Sequence, residues 1–165
     1  MFLILLFSLN LSADNNFDNF FKETLTWKDT EKARDVSDVL RNTLLVAPFV
    51  TSFFTDDPKR SALQTGGTIL FTGLLTRGLK HFTHRQRPDG SDYKDFPSGH
   101  ASSAMVGATL MCGMVKETCI PGYVAAVATG LLRVMGNRHH MTSVIFGLGI
   151  GHANGLWIPQ LTASW

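Results

Sequence analysis

The sequence predicts an all-α protein, a single bundle of about six helices. Two observations carry this. Nowhere does the chain sustain the alternation of apolar and polar residues that marks a half-buried strand. Apolar segments of helical length are instead separated by clusters of Pro, Gly, Asp and Asn, with capping residues where helices should start. A chain of 165 residues is long enough for one domain with a real core and too short for two.

Taken in order, residues 1–13 are a short apolar run ending in Ser12-Ala13, followed by polar Asp14-Asn15-Asn16. This pattern resembles a secretory signal peptide cleaved after about Ala13, although the usual positive start is missing and an uncleaved anchor fits as well. The run is shorter than the roughly 20 residues a membrane span needs. Residues 14–35, with Phe17, Phe20, Phe21, Leu25 and Trp27, read as an amphipathic surface or interfacial helix. Asp35-Val-Ser-Asp38 then leads into the apolar stretch 43–55, with Pro48 a kink, and Asp56-Asp57-Pro58 stops it. Residues 59–86 form a long helix, apolar from Thr68 to Leu79 and basic at its end. The segment from Pro88 to Pro97 is a loop by every local signal. Ser98 caps a helix over 99–116 that carries no charge from Ala101 to Val115. Pro121 opens the next helix, Gly136-Asn137 breaks it after Met135, and Thr142 or Ser143 caps a last one over 143–160.

Net charge is only +2, which gives no global attraction to nucleic acid, and no such partner is expected. A P-loop, a G-x-G-x-x-G turn and zinc-type cysteine pairs are all missing from the sequence, so no cofactor and no metal site is expected. Cys112 and Cys119 on one helix would lie about 10 Å apart along its axis, beyond bridging distance. Two buried free thiols are the expectation, with the break near Pro121 leaving a bridge open.

Several segments are uncharged but short and diluted by Gly, Ser and Thr. Only 141–165 lacks acidic and basic residues for long enough to span a membrane, and mean hydropathy is +0.08. The glycines suit close helix packing in lipid or in a compact soluble bundle equally well.

Three clusters carry chemistry. In the first, Arg77, Lys80, His84 and Arg87 would share one helical face, with Pro88 ending the helix and leaving Arg87 at its tip. An ammonium and a guanidinium placed together grip two or three oxygens of a phosphate. In the second, Pro97-Ser98-Gly99-His100, free backbone N–H groups at a helix start bind an anion and Gly99 lets it approach closely. The third supplies Arg133 and His139, a further cation and an imidazole fit for nucleophilic attack. A basic run alone is most often a solvated face, and Ser-Gly-His alone is most often a capped helix. It is their succession that singles them out.

The order K-x6-R-P, P-S-G-H and R-x5-H resembles the type 2 phosphatidic acid phosphatase and vanadium haloperoxidase superfamily, over roughly residues 35–160. The resemblance implies a phosphatidic acid phosphatase type 2-like domain over 14–165 and a metal-independent phosphomonoesterase. It implies a lipid phosphate or small phosphate ester as substrate, at a membrane, with the site outside the cytoplasm. It makes His139 the nucleophile that becomes a phosphohistidine, His100 the general acid, and Lys80, Arg87, Ser98, Gly99 and Arg133 the phosphate ligands. Arg77, His84 and Arg85 gain no role from it, and His81 and His152 read as packing histidines.

One position departs from the pattern. The family has aspartate four residues after the nucleophile, where this chain has Ser143. That carboxylate would accept the Nδ1–H of His139 and support the cation forming during attack. Asp89, Asp92 or Asp95 on the loop could replace it, His140 could partly substitute, or the chain could be a degenerate, non-catalytic relative. Ser143→Asp should restore the missing carboxylate and raise turnover, by less where His140 or a loop aspartate already does its work. A vanadate-dependent haloperoxidase would share the motif, but such enzymes are larger and soluble.

Overall fold

The computed structural model describes residues 15–163, with side chains to residue 159. The expected leader over 1–13 lies outside the described residues. Six α-helices form, with no strand among the described residues: α1 Asn16–Leu25, α2 Thr30–Ser52, α3 Pro58–Thr83, α4 Gly99–Met114, α5 Cys119–Met135 and α6 Met141–Ala163. A 3₁₀ turn, Lys116–Thr118, joins α4 to α5.

Side-chain caps set most of the helix starts. Asn15 Oδ1 accepts from the Asp18 backbone at 2.7 Å, Asp29 Oδ1 from Lys32 at 3.0 Å, and Asp57 Oδ1 from Arg60 at 3.1 Å. Pro58 takes the first turn of α3, where its missing N–H has no partner to lose. The cap at Asp29 corrects the expected single helix over 14–35: the chain breaks between Leu25 and Thr30, pinned by Trp27 N–H to Met135 O at 3.1 Å. Pro48 lies inside α2, which runs on to Ser52.

Two further expectations are corrected. The helix α3 stops at Thr83, three residues early, because His84 turns left-handed at φ 44° and closes it. Arg87 therefore sits in the following loop and shares no helical face with Arg77, Lys80 and His84. Cys112 and Cys119 are joined in a disulfide, with Cα atoms 4.4 Å apart. The distance along one helix does not apply, because α4 ends at Met114 and the 3₁₀ turn folds the chain back.

The helix α4 is the centre of the bundle, touching α2, α3, α5 and α6. It is built from small residues, and Ala101, Ala104, Val106 and Ala108 are fully buried. Such a helix presents no wide apolar stripe because every side of it is covered. On α6, Gly147 and Gly151 face the carbonyls of Ser98 and Ser102, and Gly155 faces Thr109. A Cβ at Gly147 would stand 2.5 Å from the Ser98 oxygen, so only glycine lets α6 lie this close.

The polarity of α3 is inverted. Its buried face is Thr65, Thr68, Thr72 and Thr76, each of the last three returning its hydroxyl to the carbonyl four residues back at 2.7–2.8 Å. One turn beyond Thr76 on that face comes Lys80. Leu63, Leu70, Leu74 and Phe82 point outward, each more than half exposed. A helix in water buries its leucines and exposes its threonines; this one does the reverse.

Lys116–Met135 is the one stretch among the described residues long and apolar enough to cross a membrane by length and composition, and only 28% of its 18-residue apolar core segment is buried. The sequence had pointed instead to 141–165.

Candidate active site

The end of α3, the start of α4, the end of α5 and the start of α6 meet at one end of the bundle, and each delivers one part of the site. Lys80 comes from the last turn of α3, and its Nζ donates to Lys94 O at 2.5 Å. It lies beside Gly99, whose added Cβ would meet Lys80 Cε at 3.8 Å, and within electrostatic reach of Arg87 and Arg133. Three cations gathered round the start of α4 make a receptor for a multiply charged anion.

Arg87 is aimed by the loop. Its Nε donates to Asp92 Oδ1 at 2.6 Å and its Nη1 to Arg138 O at 3.0 Å, while Nη1 also stands 3.3 Å from His139 Nε2. Arg133 is buried in α5. Its Nη1 donates to Ser37 Oγ at 3.0 Å and to Asp38 Oδ1 at 3.3 Å, and its Nε is buried with no hydrogen-bond partner among the described residues. A buried guanidinium nitrogen left open at a cationic site is what an oxyanion would satisfy.

Ser98, fully buried, caps α4, its Oγ accepting from Ala101 N–H at 3.4 Å. Its own N–H donates to Ser143 O at 2.8 Å, tying the start of α4 to the start of α6. His100 Nε2 lies 2.5 Å from Asp38 Oδ1, so that nitrogen carries a proton.

His139 precedes α6 and is 2% exposed. Its Nδ1 is 3.1 Å from Asp95 Oδ1, which makes Nδ1 the donor and leaves the Nε2 lone pair directed to the Arg87 side. Asp95 is fully buried on the loop before Pro97 and also accepts from His140 N–H and His140 Nδ1, both at 3.0 Å, and from Ser143 Oγ at 2.5 Å. Of the three loop aspartates, Asp95 alone meets His139; Asp89 pairs with Arg138 at 2.9 Å and Asp92 with Arg87.

A second carboxylate holds the arrangement from behind. Arg85 Nη2 donates to Asp18 Oδ2 at 2.6 Å and Nη1 to Thr142 Oγ1 at 2.7 Å, and its Nε is 3.4 Å from Asp95 Oδ2. Asp18 Oδ1 also accepts from Thr142 N–H at 2.8 Å. A buried pair of this kind is costly to break from either side. Asp18, Asp38 and Arg85 were not marked as site residues by the sequence: Asp18 lies on a helix read as surface, Asp38 in the polar lead-in to an apolar stretch, and Arg85 in a basic run where any member could be solvated. His152 contacts Thr109 Oγ1 at 3.2 Å on an outer face, and His81 is exposed beside Phe82.

Electrostatics keep His139 neutral. Burial disfavours its imidazolium; the Asp95 hydrogen bond opposes this, Lys80 and Arg87 reinforce it, and the pKa falls to about 3. Burial works against the ionised form of Asp95 too, yet the hydrogen bonds from His139 and His140 outweigh it and hold this carboxyl well below its usual range. Both shifts act in the same direction on stability. As pH falls below about 6.5 an unfolded chain protonates this histidine while the folded one does not, and below about 4 the same holds for Asp95. Stability present at neutral pH is therefore lost on acidification. The denaturation midpoint of detergent-solubilised protein should drop between about pH 7.5 and about pH 5; a flat or rising midpoint contradicts a neutral buried His139.

Residues 61–164 match the sequence profile of the PAP2 superfamily, and the chain belongs to that superfamily. It is similar to a lipid A 1-phosphatase of Porphyromonas gingivalis, 33% identical over 58% of this chain and 23% of that protein. A lipid A 1-phosphatase of Rhizobium johnstonii is 30% identical over 58% of this chain and 44% of that protein. The matched segment thus spans less than half the length of these curated relatives. The fold is that of a transmembrane PAP2-type phosphatidylglycerolphosphate phosphatase from Bacillus subtilis, with a TM-score of 0.77 at 22% identity, over 99% of this chain and 92% of that one.

Proposed function

We propose that this protein is a membrane phosphatase that hydrolyses the phosphate monoester of a lipid through a phosphohistidine, without a metal. The observation that carries the reading is His139: neutral, with Nδ1–H committed to Asp95 and Nε2 facing Arg87. In the first step the Nε2 lone pair attacks phosphorus, the phosphorus–ester oxygen bond breaks, and His100, as an imidazolium whose Nε2–H stays on Asp38, gives its Nδ1 proton to the departing oxygen. Lys80, Arg87, Arg133 and the N–H groups at the start of α4 hold the three remaining oxygens, where charge develops. In the second step His100 takes a proton from water, the oxygen of which attacks phosphorus. The phosphorus–nitrogen bond then breaks, releasing phosphate and free His139.

The membrane assignment rests on the inverted polarity of α3 and on the outward leucines, valines and phenylalanines of α2, α3 and α5. With the site at one end of the bundle, a lipid headgroup reaches it from the interface. The names of the relatives favour a lipid phosphate, with lipid A and phosphatidylglycerolphosphate the first to try. The reading further places the chain in the cell envelope, led there by residues 1–13, with the site on the outer side. A non-catalytic relative rested on Ser143 alone, and the Asp95 contact weakens that ground; the apolar exterior weighs against a haloperoxidase.

Purified protein in detergent should release phosphate from at least one member of a panel of lipid A, phosphatidylglycerolphosphate and phosphatidic acid. The release should persist in EDTA and be inhibited competitively by vanadate. Intact cells should release it from an added substrate that does not cross the membrane. Activity lost in EDTA and restored by a divalent cation would remove the mechanism.

A further inference from the structure

The carboxylate that meets His139 Nδ1 comes from the loop, and the position four residues after His139 holds Ser143. We propose that Asp95, on the loop between α3 and α4, is the positioning residue for His139, with Ser143 serving as its support. The inference rests on the phosphohistidine reading and adds a residue to it.

Distance is the first ground. Asp95 Oδ1 stands 3.1 Å from His139 Nδ1, and Ser143, at the position where the superfamily pattern has its acid, donates its hydroxyl to Asp95 Oδ2 at 2.5 Å. In this chain the acid stands on the loop, and a hydroxyl occupies the helix position where the pattern has its acid.

Immobility is the second. A carboxylate orients an imidazole only when it is itself held, and loops hold poorly unless pinned. This one is pinned on both sides. Asp95 N–H donates to Arg85 O at 3.0 Å, Thr83 Oγ1 donates to Phe96 O at 2.8 Å, and Ser98 N–H donates to Ser143 O at 2.8 Å. The carboxylate receives four hydrogen bonds, from His139 Nδ1, His140 N and Nδ1, and Ser143 Oγ, with the Arg85 guanidinium 3.4 Å away.

Charge is the third. Lys80 and Arg87 lie beside a histidine that becomes cationic when phosphorylated. Asp95 is the anion in contact with that ring.

Three variants test the proposal. Asp95→Asn keeps the size and loses the charge. It should lower kcat by roughly 10²- to 10⁴-fold, the upper figure being the cost of the same change in a serine-protease triad, while KM stays within about threefold. Ser143→Asp alone should lower turnover at least about tenfold, because it sets a second carboxylate against Asp95. This reverses the gain that the sequence by itself suggests. The exchange Asp95→Ser with Ser143→Asp should regain at least about tenfold over Asp95→Asn, since it returns an acid to His139 from the other side. A purely structural Asp95 would not be rescued in kcat by an acid at 143.

A gain in turnover from Ser143→Asp overturns the proposal, as does a folded Asp95→Asn with near-native kcat. If Asp95→Asn does not fold, the exchange variant decides: folded and active it supports the proposal, folded and inactive it overturns it. If neither folds, the sign of the Ser143→Asp effect decides. Should His139→Ala be silent, the phosphohistidine reading fails. Should His139→Ala be inactive and Asp95→Asn near native, only the role of Asp95 fails.

Discussion

His139→Ala abolishes phosphate release in protein that still folds, while His152→Ala leaves most of it. The first expectation follows from geometry. Nε2 of His139 is the ring nitrogen aimed into the cluster of Lys80, Arg87 and Arg133, and its lone pair is available because the proton sits on Nδ1. No neighbour takes over: His140 Nδ1 is committed to Asp95, and His100 Nε2 to Asp38. Removing the nucleophile from a covalent mechanism is among the costliest single changes an enzyme can suffer; in subtilisin it is worth roughly 10⁶-fold in kcat. A fall to the detection limit is expected, and with it loss of the acid-labile phosphoenzyme trapped from a labelled substrate. His152 bonds Thr109 on the outer side of α6 and is the matched control. Wild-type turnover in His139→Ala removes the nucleophile assignment, whatever the fold.

Much of this arrangement is legible in the sequence because cations and helix starts gathered for an anion leave compact marks. Lys80 and Arg87, Ser98 to His100, and Arg133 with His139 are fixed in spacing by the helix ends that carry them, and the structure brings all three groups together at one end of the bundle. The helices themselves are legible from caps: Asp57-Pro58 and Ser98 mark real starts. The illegible parts depend on long-range contact. Asp18 meets Arg85 across 67 positions and Asp38 meets Arg133 across 95, and no local pattern separates either acid from a solvated one. The reach of Asp95 to His139, 44 positions on, depends on where α3 ends. That end was misplaced because a histidine in the left-handed region closes α3, a role local preference assigns to glycine or asparagine. The disulfide was missed for a related reason, since one short 3₁₀ turn decides whether Cys112 and Cys119 meet.

The second large effect is expected at His100 and depends on the leaving group. His100→Ala should cut turnover of a lipid phosphate by roughly 10²- to 10⁴-fold, the usual worth of a placed proton donor. An alkoxide is a poor leaving group, and the bond to phosphorus breaks readily only if its oxygen is protonated as it departs. Nitrophenolate leaves without that help, so p-nitrophenyl phosphate turnover should fall by about tenfold or less in the same variant. The structure supports the assignment to this residue. His100 stands in the first turn of α4, directly after the Ser98-Gly99 segment that would hold the phosphate, and Asp38 holds its Nε2–H, which supports the imidazolium and leaves Nδ1 for the leaving oxygen. Asp38 in turn meets Arg133, so the proposed donor and the proposed phosphate ligand are aligned by one carboxylate from α2. A purely structural His100 would lower both substrates equally, because a displaced Arg133 or a shifted α4 cannot distinguish one leaving group from another. Equal losses on the two substrates would therefore move the proton donor elsewhere, whereas a gap of about tenfold or more between them fixes it at His100.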